Sequence, residues 1–206
     1  MSERESPNPE LVPEVPPVSP GRFLRWGLWF YGGLAGIALL WSFFTGRSLW
    51  FVSEAAAERG VDLLRDGVAG LAAALLVILL SREFTRRTRA GEVLARALAR
   101  TLGPLPLSHV LILAAVSGTA EEFFFRGALQ PLLGYVATSL FFGCVHFVPQ
   151  RDFWPWTLFS IAAGFLLGAL FIATGNLLAP LLMHVVVNAV NLHLLVRDYG
   201  GEHRPT

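Results

Sequence analysis

The sequence predicts an all-α protein: a polytopic transmembrane helical bundle of about six spans, with one or two interfacial amphipathic helices. Three observations predict it. Hydrophobic residues make up 54% of the 206-residue chain and charged residues 15%, against about 25% charged in soluble domains. The apolar residues gather in runs long enough for helices that cross a bilayer, which takes about 20 residues. The charges gather between those runs, and all 16 basic residues are arginines.

The chain divides into a tail at 1–20, N-terminal spans and a basic segment at 21–104, a core at 105–198 and a second tail at 199–206. The first tail holds six prolines and almost no large apolar residues. It cannot bury enough surface to offset its ordering entropy, and reads as disordered. The first span runs from Phe23 to Phe44, with Arg25 as its one charge, and is too long for a signal peptide's apolar region. The second, Gly67 to Leu80, reaches full length when extended back to Val61, with Asp62, Arg65 and Asp66 in the interface. A third run starts after Pro104 and Pro106 and goes from Leu107 to Ala120; others follow at 135–148, 154–174 and 177–196.

Arginine counts orient the bundle. Segment 82–104 carries six arginines, whereas 46–66 carries three arginines against four acids. The first is expected in the cytoplasm and the second outside, so an even number of spans leaves both termini cytoplasmic. Within the basic segment, Val93, Leu94, Ala97, Leu98 and Leu102 fall near one face of a helix. That pattern predicts an interfacial amphipathic helix over 90–102, with a simple basic loop as the alternative on hydropathy alone. A net charge of +1 excludes a nucleic-acid-binding chain, and a single cysteine, Cys144, excludes an internal disulfide. Arginine without lysine points to a bacterial source, and so to the bacterial inner membrane.

A charge near the bilayer centre costs roughly 2.5–3.5 kcal/mol on insertion scales. Yet Glu121, Glu122, Arg126, His146, His184 and Asn188 lie inside or beside apolar runs, which marks them as candidate functional residues. Glu122 and Arg126 are four apart and share a helix face, where they can form an ion pair. Glu121 points about 100° away and is left without that arginine, free to act as a general base. Glu121 and His146 lie symmetrically about Gly134. A helical hairpin turning there brings both to one depth, where they can share a water. His184 and Asn188 are also four apart, and two donors on one face suit an oxyanion formed in acyl transfer. Asn176 reads as a helix N-cap and Cys144 as a packing residue; Ser117, four before Glu121, reads as core packing, with lining of the same cavity as the alternative.

These residues form three motifs: Glu121-Glu122-Phe123-Phe124-Phe125-Arg126 as EExxxR, Phe142 to His146 as FxxxH, and His184 to Asn188 as HxxxN. In this order, on successive apolar segments, they resemble the CPBP family of intramembrane proteases, also called the Abi or CAAX-protease-like family. Its eukaryotic relative is the type II CAAX prenyl endopeptidase. The resemblance covers residues 107–196, a little under half the chain. It implies a glutamate-dependent endopeptidase in which Glu121 and His146 activate water, His184 and Asn188 form the oxyanion site, and Glu122 and Arg126 shape their helix. It also implies no cofactor, and a membrane-anchored protein or peptide as substrate.

Two other readings compete. Glu121, His146 and His184 could ligate zinc in a metalloprotease, although no HExxH is present and the two histidines are 38 residues apart. The polar cluster could instead be a proton path or binding site in a transporter or immunity protein, which would not need the His-Asn donor pair.

Overall fold

The computed structural model describes residues 19–200. The proline-rich segment expected to be disordered lies outside the described residues apart from Ser19 and Pro20, as does the C-terminal tail from residue 201. Among the described residues eight helices follow one another: α1 (Pro20–Thr45), α2 (Glu54–Arg59), α3 (Leu63–Arg87), α4 (Arg89–Leu102), α5 (Leu107–Leu133), α6 (Tyr135–Val145), α7 (Trp154–Thr174) and α8 (Leu178–Tyr199). Five of them, α1, α3, α5, α7 and α8, are long and apolar enough to cross a membrane. The protein is a helical membrane bundle.

The expected sixth crossing is α6, and it is short. Its 11 residues make a rod of about 16 Å, roughly half the hydrocarbon thickness of a bilayer. Gly134, at φ +82°, makes the turn from α5 into α6, a backbone conformation open to glycine at no steric cost. α6 then runs antiparallel to α7, with the Tyr135 hydroxyl on the Phe165 carbonyl and the Ser139 hydroxyl on the Gly164 carbonyl. Segment 146–153 completes the return, and its short turn Arg151–Phe153 packs against α4.

One end of the bundle gathers α4 and the arginine-rich segment. There Phe23, Leu24, Leu102, Leu105, Val110, Leu192 and Val196 pack together, so α1 begins and α8 ends at this same end. α4 matches the amphipathic helix expected over 90–102. Thr88 caps it by accepting from the Gly91 backbone N–H at 3.0 Å.

The opposite end is tied by a polar clamp. The Asn176 side-chain N–H donates to Asp66 at 2.6 Å, and Arg65 Nε donates to the same carboxylate at 2.7 Å. Asp66 is fully buried in protein, whereas the sequence placed it in the interface. The reason is tertiary: loop 46–62 folds over the α7–α8 turn, with Phe51 and Asn176 forming an antiparallel bridge. A buried carboxylate demands partners, and that turn supplies them. Asn176 also accepts from the Leu178 N–H at 2.9 Å, but it stands one residue before the N-cap of α8, which is Leu177 without a side-chain cap bond, so its main partners are those of the clamp rather than the expected cap. Asp62 caps α3 through the Arg65 N–H at 3.0 Å.

A buried carboxylate–imidazole site

The middle of α5 is not regular α-helix. Glu122–Leu129 is π-helical, a wider coil that in other proteins often marks functional sites. This stretch carries Glu122 and Arg126, both at 0% exposure. Arg126 Nη1 donates to Glu122 Oε1 at 3.1 Å, the pair expected from their spacing. Arg126 Nη2 donates across the bundle to the Gly164 carbonyl at 3.0 Å, and the guanidinium lies 4.5 Å from the Phe142 ring centroid.

Glu121, adjacent in sequence, is also buried, and both carboxylates meet one imidazole. His184 Nδ1 lies 2.7 Å from Glu122 Oε1, and its Nε2 lies 3.8 Å from Glu121 Oε2. Because a carboxylate only accepts, Nδ1 carries hydrogen. In the neutral ring Nε2 therefore presents a lone pair, and it donates only when the ring is protonated. His184 thus serves Glu122 first, a bond the sequence reading did not foresee.

His146 approaches the same oxygen, with Nε2 at 3.8 Å from Glu121 Oε2. It stands at the C-cap of α6, where the last helical carbonyls lack intrahelical donors. Its ring folds back so that Nδ1 donates to the Phe142 carbonyl at 2.7 Å. That bond fixes the tautomer, leaving Nε2 as the acceptor that faces Glu121. Phe142 is the shared wall, with ring centroids 4.7 Å from His146 and 5.9 Å from His184.

Glu121 Oε2 is buried and makes no hydrogen bond within the protein. Its separations from the two Nε2 atoms exceed a direct hydrogen bond and suit groups that contact one common water. The hairpin through Gly134 and the run of α8 thus assemble Glu121, Glu122, Arg126, His146 and His184 into one network. Asn188 stands one helical turn beyond His184, and its Nδ2 donates to Ser117 Oγ at 3.1 Å. Ser117 is one turn before Glu121 on α5 and is buried. Its four-residue spacing from Glu121 offered it as lining that cavity besides packing, and in the structure it is a hydrogen-bond partner of Asn188. Cys144, expected to pack, is exposed.

One further ring closes the site: Trp156 stands 5.8 Å from the His146 ring. Its place here was not legible beforehand, because it comes from an apolar segment with no polar spacing pattern.

The atoms nearest to a metal-binding set are Glu121 Oε2 and the two Nε2 atoms. Tetrahedral zinc ligands stand about 3.3 Å apart when each bond is about 2.0–2.1 Å, narrower than the 3.8 Å found here. Among the described residues, no group of three or more His, Cys, Asp and Glu is arranged to hold a metal ion.

Fold and site together define a helical membrane protein with a buried cluster of carboxylates, imidazoles and a guanidinium. Residues 103–190 match the family model described as type II CAAX prenyl endopeptidase Rce1-like. This is the family that the three motifs resemble, and the matched stretch takes in every residue from Glu121 to Asn188. The chain is also similar to the uncharacterized protein YpbD of Bacillus subtilis, 38% identical over 86 residues. That alignment covers 41% of this chain, which spans less than half (44%) of the relative's length. No solved structure matches.

Proposed function

We propose that the protein is an intramembrane glutamic endopeptidase that hydrolyses a peptide bond of a membrane-anchored protein or peptide. The observation that carries this reading is Glu121 Oε2, buried, without a hydrogen bond, and 3.8 Å from the Nε2 atoms of both histidines. Glu121 takes a proton from water as the water oxygen bonds to the scissile carbonyl carbon. His146 Nε2 accepts the water's second hydrogen and orients it. As the C–N bond breaks, the proton passes from Glu121 to the departing amine.

The developing oxyanion needs donors. Protonated His184 supplies one through Nε2, and Glu122 is its counter-ion as well as that of Arg126. Asn188 supplies another, because its amide has two N–H groups and Ser117 takes one. No cofactor takes part. The arginine-rich end and both termini face the cytoplasm of a bacterium, in line with the positive-inside rule.

The test compares membrane-protein termini between cells carrying the wild-type chain and cells carrying Glu121→Ala. New termini present with the wild type and absent with the variant support the reading. Identical sets of termini overturn it.

A further inference from the structure

We infer that the groove between α3, α4, α7 and α8 binds an anionic phospholipid, with an acyl chain along its apolar wall and the phosphate on Arg82 and Arg86. The inference stands apart from the endopeptidase reading. It adds a ligand outside the carboxylate–imidazole cluster.

The groove has a volume of about 710 Å³, within the range of about 300–1,000 Å³ found for ligand clefts. On α3 its lining runs from Leu76 to Arg86, and on α7 from Pro155 to Leu166. Such a stretch of helix rises about 15 Å, which is half the hydrocarbon thickness and so one leaflet of a bilayer. The groove occupies the half next to the arginine-rich end: α3 and α8 end there, α7 begins there, and α4 lines it with Leu94, Ala95 and Leu98. Its rim faces outward, since Leu76, Leu80 and Leu158 line it and are exposed. A lipid chain can therefore enter sideways from the bilayer without crossing polar surface.

Charge is confined to one end of this apolar slot. Arg82 and Arg86 are four apart on one face of the last turns of α3. Among the described residues neither makes an ion pair, whereas Arg87 is paired with Glu83. Asp198 lines the same mouth, and its field reaches Arg82. That carboxylate is already held by Arg197 in two bonds, at 2.6 and 3.1 Å. Of the polar side chains further along, Ser81 and Asn191 bond to each other at 3.2 Å. Guanidinium groups bind phosphate oxygens through charge-assisted hydrogen bonds, and basic pockets between membrane helices take anionic headgroups. A free phosphate would use the arginines and leave the apolar wall uncovered; a phospholipid uses both. Trp156, the ring beside His146, also lines the groove, so groove and cluster share a wall residue.

The experiment uses the full chain purified in a nonionic detergent, with bound lipid read by native mass spectrometry. The probes are phosphatidylglycerol and phosphatidylcholine with the same chains. One phosphatidylglycerol per chain is expected, held about tenfold more tightly than phosphatidylcholine. The double variant Arg82→Gln, Arg86→Gln is expected to erase that preference. Ala162→Trp, at an exposed position of the lining, fills the groove and is expected to abolish retention with both arginines in place. Equal retention of the two lipids, or wild-type retention in either variant, overturns the inference. Glycerol 3-phosphate bound as tightly as the lipid would leave a phosphate site without a chain, and overturns it too. So does a neutral acylated peptide that displaces phosphatidylglycerol at equal concentration, which assigns the groove to a substrate's anchor. If the double variant does not fold, Arg82→Gln and Arg86→Gln singly, each expected to lower the preference, decide the matter together with Ala162→Trp.

Discussion

His184 bridges two adjacent carboxylates: its Nδ1 lies 2.7 Å from Glu122 and its Nε2 lies 3.8 Å from Glu121. Neighbouring residues on a helix diverge by about 100°, so two consecutive glutamates ordinarily meet different partners. Here they meet opposite nitrogens of one ring. Glu122 is therefore more than the partner of Arg126: it orients the histidine that faces Glu121. A charge change at Glu122 reaches the base through that ring.

Glu121→Gln is expected to abolish cleavage. Glutamine keeps size and hydrogen bonding but cannot take a proton from water. Turnover of a reconstituted sample is the measurement, and retention of more than about a tenth of wild-type kcat would show that Glu121 is not the base.

Glu122→Ala is expected to destabilise the protein by about 3–5 kcal/mol, since it leaves the Arg126 charge buried without a counter-charge; Arg126→Ala should cost less, because Glu122 keeps its bond to His184. The double variant should be more stable than the sum of the two losses. A double-mutant cycle of unfolding in detergent measures this coupling. Simple additivity would break the ion-pair assignment.

Asn188→Ala is expected to lower kcat by roughly 10²–10³, the cost of one oxyanion donor, without moving the pH optimum, because an amide does not titrate near neutrality. Ser117→Ala removes only the anchor of that amide and should cost about tenfold. Comparable losses from the two variants would mean that Asn188 acts through Ser117 rather than on substrate.

His146→Ala should lower kcat with KM nearly unchanged, because it removes the imidazole nitrogen that orients the water beside Glu121. A loss carried by KM alone would remove His146 from the water-activating pair.

The zinc mechanism has its own signature. It expects His184→Ala to release stoichiometric metal while Asn188→Ala is nearly silent, and it expects chelation to stop turnover until zinc is restored. The proposed mechanism expects activity that survives chelation and equal metal content in both variants. Metal analysis of purified protein beside turnover decides between them.

The bundle was largely legible in the sequence because long apolar runs and helical periodicity are local properties. The same holds for the Glu122–Arg126 pair and for the turn at Gly134, both set by spacing along one or two helices. The motifs EExxxR, FxxxH and HxxxN marked which polar residues to watch. What only the tertiary structure decided is how those faces meet. The bond from His184 to Glu122 spans 62 residues and that from Asn188 to Ser117 spans 71. The burial of Asp66 depends on a clamp formed by Asn176, 110 residues away. α6 proved half a span long, and α5 changes to π-helix over Glu122–Leu129. The physical reason is common to all of these. A helix chooses its faces from its own side chains, but a buried polar atom chooses its partner from whichever helix packing brings within hydrogen-bond reach. That pairing is a property of the assembled bundle, and no single segment carries it.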